Sequence, residues 1–109
     1  MRGSVYEEIG NSQQAMDDYC KAIELNPDDS CAYYARGYIY ERLGNFQQAI
    51  DDYSEVIELE PDDSDAYYMR GSAYLKLGHH QQAIEDYKSA AQLGNKDSQN
   101  YLKEQGIAW

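Results

Sequence analysis

The sequence predicts an all-α fold of stacked helical hairpins, on three grounds. Residues 30–63 and 64–97 align without a gap and are identical at half of their positions, which gives a period of 34 residues. A fixed period of this length indicates a repeat architecture. Apolar residues within each period recur at the three- and four-residue spacing of amphipathic helices. No segment shows the strict alternation that predicts a β-strand.

The first unit covers residues 1–29, which match residues 35–63 at more than half of the positions. The Gly-Asn pair at Gly10 corresponds to a Gly-Asn pair in the next unit, so we predict two helices with a turn at Gly10. The residues that open the second unit, 30–34, have no counterpart ahead of Met1, and we expect a truncated first repeat. Two alternatives follow: the sequence is part of a longer array, or its open N-terminal face packs against another copy.

The second unit, residues 30–63, and the third unit, residues 64–97, each predict two helices joined by a glycine turn. Gly44 and Gly78 follow the first helix, where glycine adopts the left-handed conformation that ends a helix. Pro61 and the Asp-Asp-Ser run after it predict the end of one helix and the cap of the next. The second helix of the second unit carries an apolar stripe made of Phe46, Ala49, Ile50, Tyr53, Val56 and Ile57.

The C-terminal segment, residues 98–109, predicts a short capping helix and a tail. Residues 95–98 are rich in turn and cap formers, and Tyr101 with Leu102 supplies the apolar face that seals the last hairpin. A terminal element of this kind is needed because a stack of repeats cannot leave its apolar edge in water. Trp109 either folds back on that edge or inserts into a partner.

The positions of rings, small residues and proline within each unit resemble the tetratricopeptide repeat (TPR). In the second unit the matching pattern reads Tyr33-x2-Arg36-Gly37-x2-Tyr40, followed by Ala49-x3-Tyr53 and Pro61. The third unit repeats this pattern with Asn95 in place of proline, and the first unit repeats it from Arg2 onward. The resemblance implies an α-solenoid of TPR helical hairpins with a C-terminal capping helix. It also implies a non-catalytic module that binds partner proteins.

The sequence departs from the family at the residue before the helix glycine, where members usually carry leucine. Here that residue is arginine in all three units, and each second helix carries an acid pair before its tyrosine. We expect the arginines to meet those acids between helices, as a ladder of partly buried ion pairs. In the alternative, the arginine stems extend to water. The expected ladder consists of Arg36 with Asp52 and Arg70 with Asp86, preceded by Arg2 with Asp18.

The resemblance also implies that the first helices of successive hairpins line a concave groove for a partner peptide. The groove positions of the first unit would be Ser4, Glu7 and Glu8. Those of the second and third units would be Cys31, Tyr34, Tyr38, Glu41, Arg42, Asp65, Tyr68, Ser72, Leu75 and Lys76. Tyrosine suits such a surface because it buries much area for little lost entropy. The alternative is that the rings merely cover the seam between helices.

One TPR subclass binds the acidic C-terminal tails of heat-shock chaperones with lysine, arginine and asparagine side chains. The positions here that match that clamp hold Tyr34 and Tyr68 in place of basic residues, and Ser4, Tyr38 and Ser72 in place of asparagine or bulky polar ones. Together with a formal net charge of −11, this argues against an acidic chaperone tail. A basic ligand, or one that mixes apolar and basic residues, is electrostatically easier to bind.

Net charge and cysteine content bound the function classes. Twenty acidic residues against nine basic ones repel phosphate backbones and anionic membranes, so neither nucleic acid nor membrane is an expected partner. Cys20 and Cys31 lie in no CxxC motif, which is typical of free thiols in the reducing cytoplasm. The expected partner is a protein or peptide, and the rival expectation is a structural unit that forms a homo-oligomer through its N-terminal face.

No group of residues predicts catalysis, a cofactor or a metal site. His79 and His80 are adjacent in a turn, where neighbouring side chains point apart. The acidic run that starts at Asp62 lacks the glycine and glutamate that an EF-hand calcium loop requires. We therefore expect no enzymatic activity and a function carried by the surface.

Overall fold

The computed structural model describes the backbone of residues 2–109 and the side chains of residues 13–109. This part of the chain forms helices and no strand, which confirms the predicted all-α class. The helices are α1 Arg2–Leu25, α2 Ser30–Arg42, α3 Phe46–Leu59, α4 Ser64–Lys76, α5 His80–Gln92 and α6 Lys96–Glu104. None of the helices within these residues has both the length and the apolar character to cross a membrane.

The turns inside the second and third hairpins form at the predicted glycines. Gly44 and Gly78 have φ angles of 81° and 80°, a region that residues with a Cβ atom rarely adopt. After Gly44, the Asn45 N–H donates to the Tyr40 carbonyl at 2.8 Å, and this bond closes the end of α2. The same bond pattern follows Gly78 at the end of α4. Both turns are Schellman motifs, in which the chain reverses tightly and the next helix packs back on the first.

The turns between hairpins are capped by aspartate. The Asp29 carboxylate accepts a hydrogen bond from the Ala32 N–H at 3.2 Å, and Asp63 accepts one from the Ala66 N–H at 3.2 Å. Each cap satisfies one of the backbone donors that a helix start leaves free. The predicted capping by the residues that follow each proline is therefore confirmed.

The predicted turn at Gly10 is wrong for this structure, because α1 continues as one helix from Arg2 to Leu25. The difference from Gly44 lies in what precedes the glycine. Ahead of Gly44, α2 packs on α3. In the first unit the residues ahead of Gly10 instead continue directly into the rest of α1. A continuous helix keeps the backbone hydrogen bonds that a turn breaks. Residues 1–29 as a truncated TPR stay a prediction.

The two complete hairpins owe their close packing to small residues in the first helix. Gly37 of α2 lies against Tyr53 of α3, where an added Cβ would stand 2.9 Å from the ring atom Cε1. Gly71 of α4 lies against Tyr87 in the same way, with the nearest ring atom 3.3 Å from such a Cβ. Tyr53 is completely buried and fills the space between the helices.

Helix α6 caps the array as predicted. Asn95 accepts a hydrogen bond from the Ser98 N–H at 2.8 Å and starts the helix. Leu102 is completely buried, and the Tyr101 ring packs on the Tyr87 ring at a centroid distance of 4.6 Å. The tail after α6 folds back toward α5, because the Gln92 amide donates to the Trp109 carbonyl at 3.0 Å.

Candidate functional site

Two arginine–aspartate pairs join the helices of the second and third hairpins. The Nε and Nη2 atoms of Arg36 donate to the two carboxylate oxygens of Asp52 at 2.9 and 2.7 Å. Arg70 makes the same bidentate contact with Asp86, at 2.8 and 2.7 Å. The structure thus brings together these predicted partners of the ladder. The predicted pair of Arg2 with Asp18 lies outside the described side chains, because that of Arg2 is not among them.

Each arginine also reaches the preceding unit. The Nη1 atom of Arg70 donates to the Ser54 hydroxyl on α3 at 3.1 Å, and Nη1 of Arg36 donates to the Cys20 sulfur on α1 at 3.5 Å. Hydrogen bonding to Asp86 raises the pKa of the Arg70 guanidinium, and burial raises the pKa of the Asp86 carboxyl. Each arginine therefore links its own hairpin to a helix of the preceding unit.

Tyrosines on the first helix of each hairpin lean on buried tyrosines of the second helix. The Tyr34 and Tyr53 rings meet edge to face at a centroid distance of 5.7 Å, and Tyr68 meets Tyr87 at 5.7 Å. Tyr34 and Tyr68 are half-buried, whereas the sequence suggested exposed rings. Tyr38 is 45% exposed, as expected of a contact residue. Tyr34 and Tyr68 therefore cover the seam between the helices and remain partly accessible, and their role in a groove stays a prediction.

Polar side chains of the predicted groove interact with these rings. The Tyr53 hydroxyl donates to Glu41 at 3.2 Å, and the Tyr87 hydroxyl shares a hydrogen bond with Ser72 at 3.1 Å. Burial raises the pKa of the Glu41 carboxyl, and the Tyr53 hydrogen bond together with the Lys76 charge lowers it in part. The charge of Lys76 in the third unit therefore acts on Glu41 in the second.

Arg42 lies at the edge of this surface. It is exposed, and its guanidinium carbon lies 5.9 Å from the centroid of the Tyr38 ring. This distance is within the range of a cation–π contact. The expected groove residues of the first unit, Ser4, Glu7 and Glu8, lie outside the described side chains.

A cavity of about 340 Å³ opens where α2, α3 and α4 meet. Predicted groove residues Cys31, Tyr34 and Asp65 lie on its wall, and the turn after α3 completes it. Burial raises the pKa of the Tyr34 hydroxyl, and the negative charges of Asp65, Asp63 and Glu41 raise it further. The residues that line this cavity are Ser30, Cys31, Tyr34, Val56, Glu60, Asp63 and Asp65.

Sequence reasoning missed Ser30, Val56, Glu60 and Asp63 as residues that line this cavity. Val56 was placed in the core stripe of α3, and Asp63 was interpreted only as a cap. One signal was available: acids flank the proline turn after α3, whereas the turn after α5 carries glycine and asparagine. Among the side chains of residues 13–109, no group of three or more His, Cys, Asp or Glu residues could hold a metal ion.

Stacked helical hairpins with a ring-lined surface define an α-helical repeat protein. A family model described as tetratricopeptide repeat matches residues 34–98, and a second, described as TPR repeat, matches residues 3–44. The chain therefore belongs to the tetratricopeptide repeat family. Members of this family are protein-interaction modules. The comparison with curated proteins gives no match.

Solved structures of similar fold agree with this assignment. The first TPR of Spaghetti (RPAP3), solved with the HSP90 peptide SRMEEVD, has 28% sequence identity and a TM-score of 0.80, covering 94% of this chain and 83% of that one. A crystal structure of MamA has 32% identity and a TM-score of 0.76, and the alignment covers 89% of this chain but only 57% of the MamA chain. The Arabidopsis OM64 TPR domain has 25% identity and a TM-score of 0.78, covering 94% and 89%.

Proposed function

We propose that this protein is a non-catalytic scaffold that binds a segment of a partner protein in its tyrosine-lined groove. The observation that carries the proposal is the repeated ring pair, in which a groove tyrosine is held by a buried tyrosine of the next helix. Rings fixed in this way offer contact area without a large loss of side-chain entropy on binding. The similar Spaghetti domain, whose structure holds a peptide, supports this class of function. The groove consists of Tyr34, Tyr38, Glu41, Arg42, Asp65, Tyr68, Ser72 and Lys76.

The proposed partner segment is not an acidic chaperone tail. The peptide bound to the Spaghetti domain ends in Glu-Glu-Val-Asp, so its recognition requires positive charge. This chain has tyrosine at Tyr34 and Tyr68 where clamp domains have basic residues, and its net charge is −11. Free thiols at Cys20 and Cys31 support a reducing compartment such as the cytoplasm.

Alanine substitution of the groove rings tests this proposal. Peptides that bind the chain would first be selected from a displayed library of random linear peptides. We expect Tyr38→Ala and Tyr68→Ala each to weaken binding of the selected peptides by about tenfold or more, because truncation of a central aromatic contact costs about 2 kcal/mol. Helicity measured by circular dichroism should stay unchanged. Leu93→Ala, which truncates an exposed side chain after α5, is the matched control.

Two results would contradict the proposal. Selected peptides whose affinity survives both tyrosine changes would bind elsewhere. A chain whose mass in light scattering rises with concentration, and which selects no peptide, would instead be the self-associating unit. We expect a monomer whose scattering mass increases only by that of the bound peptide.

A further inference from the structure

We propose that the cavity between α2, α3 and α4 binds a basic side chain, arginine or lysine, of the partner segment. This inference rests on the proposed function and adds the chemistry of one position in the ligand. The cavity lies at one end of the groove, since Tyr34 and Asp65 belong to both.

The size and walls of the cavity suit one long side chain. Its volume of about 340 Å³ is at the lower end of the range of about 300 to 1,000 Å³ for small-molecule sites. Half-buried Tyr34 supplies a ring surface against which the methylene stem of a lysine or arginine packs, and buried Val56 lies behind it. The ring of Tyr34 is held against buried Tyr53, so this wall exists before a ligand arrives.

All the charged residues that line the cavity are acidic. Glu60, Asp63 and Asp65 contribute carboxylates, and no lysine, arginine or histidine lines the space. Asp63 accepts a hydrogen bond from the backbone N–H of Ala66, and Asp65 accepts one from the side-chain amide of Asn95 at 3.2 Å. Among the described residues, none of the three carboxylates forms an ion pair with a basic side chain. A cationic group that enters from a partner would therefore meet uncompensated negative charge.

The spacing of these carboxylates favours an extended cation over a metal ion. Within residues 13–109 no three acidic, histidine or cysteine side chains converge closely enough to hold a metal. A guanidinium or ammonium group on a flexible stem bridges more widely spaced acceptors, because it donates several hydrogen bonds in different directions. The chain itself uses this chemistry, since Arg70 is held by Asp86 and lies 5.8 Å from the Tyr67 ring centroid.

The first test compares peptide selection on two variants of equal charge. Random linear peptides would be selected on the wild-type chain, on Glu60→Gln/Asp65→Asn, and on Glu58→Gln/Asp62→Asn, whose two acids are exposed and do not line the cavity. We expect arginine or lysine to be enriched at one peptide position on the wild type and on the control. On the cavity variant that enrichment should be lost while preferences at other positions remain.

The outcomes distinguish a failure of this inference from a failure of the proposed groove function. Peptides with no basic position, or a basic position that persists on the cavity variant, would overturn this inference and leave the groove function standing. A library that yields no binding peptide on any of the three proteins would overturn the groove function, and this inference with it.

The second test uses a double-mutant cycle to determine whether the basic side chain of the peptide lies in the cavity. In a selected peptide the basic residue is replaced by its neutral counterpart, citrulline for arginine or acetyl-lysine for lysine. We expect the affinity for the wild-type chain to fall about tenfold, and the affinity for Glu60→Gln/Asp65→Asn to change less than about twofold. Equal losses on both proteins would place the basic side chain elsewhere and refute the inference.

Discussion

The second and third units share an interior but differ at the end where the next helix begins. Both contain a bidentate arginine–aspartate pair and a tyrosine pair at 5.7 Å. After the second unit, the chain makes an acidic proline turn, and α4 starts at the cap Asp63. After the third unit, Gly94 and Asn95 make a shorter turn. As a result, α6 starts two residues before the position that the 34-residue period and the start of α4 would give.

This difference separates the repeated packing from the individual surface. Leu102 lies as many residues after the cap of α6 as Arg70 lies after the cap of α4. Because leucine is apolar, the ladder of ion pairs ends there. In the same count, Glu60 and Asp63, which line the cavity, have Gln92 and Asn95 as their counterparts. The interior is set by what every unit must bury, whereas the surface at each junction is set by the turn between units.

The largest expected effect concerns the shared ion pairs. Arg36→Met and Arg70→Met should each lower the free energy of unfolding by about 2 to 3 kcal/mol, because each leaves a nearly buried carboxylate without its partner. Urea denaturation followed by circular dichroism measures the change. The double variant Arg36→Met/Asp52→Leu should recover most of the loss, since it removes the buried charge as well.

The matched control is Asp51→Ala, which removes the exposed acid next to Asp52. It should change the free energy of unfolding by less than about 0.5 kcal/mol. If Arg36→Met and Arg70→Met were as harmless as this control, the ladder would not fix the stacking of units.

A smaller effect distinguishes the two helix glycines. A Cβ at Gly37 would stand 2.9 Å from the completely buried Tyr53 ring, whereas at Gly71 the nearest atom is 3.2 Å away. We expect Gly37→Ala to destabilise the chain by about 1 to 2 kcal/mol, since overpacking outweighs the gain in helix propensity. Gly71→Ala should be within about 1 kcal/mol of neutral. Thermal and urea midpoints check this order, and a more damaging Gly71→Ala would contradict it.

The repeat made most of the fold predictable from sequence. Pattern matching between units placed the hairpin turns at Gly44 and Gly78 and the aspartate caps. The capping helix was predictable from its own cap and apolar residues, because each of these features depends on local residues with strong preferences. Pattern matching failed at Gly10, which is followed by asparagine just as Gly44 is. A turn there also needs contacts made by a whole first helix, and local sequence does not report those contacts.

The proposed groove could be predicted only as a helix face. Helical spacing placed Tyr34, Tyr38 and Tyr68 on one side, but it did not show that two of these rings lean on buried tyrosines. The cavity was missed because it forms where three elements meet. Its wall at Glu60 depends on the path of the turn after α3 and on where α4 begins, and both follow from packing between units.

The smallest expected effect lies at the capping helix. Ser98 occupies the position in α6 that Ala66 has in α4, and it is completely buried with no hydrogen-bond partner for its hydroxyl. Ser98→Ala should raise the free energy of unfolding by about 1 kcal/mol, because it removes an unsatisfied buried polar group. The reciprocal change, Ala66→Ser, introduces such a group and should lower stability by a similar amount. Urea midpoints measure both. A destabilising Ser98→Ala would mean that the hydroxyl is satisfied in solution, so that α6 packs on α5 differently from the way α4 packs on α3.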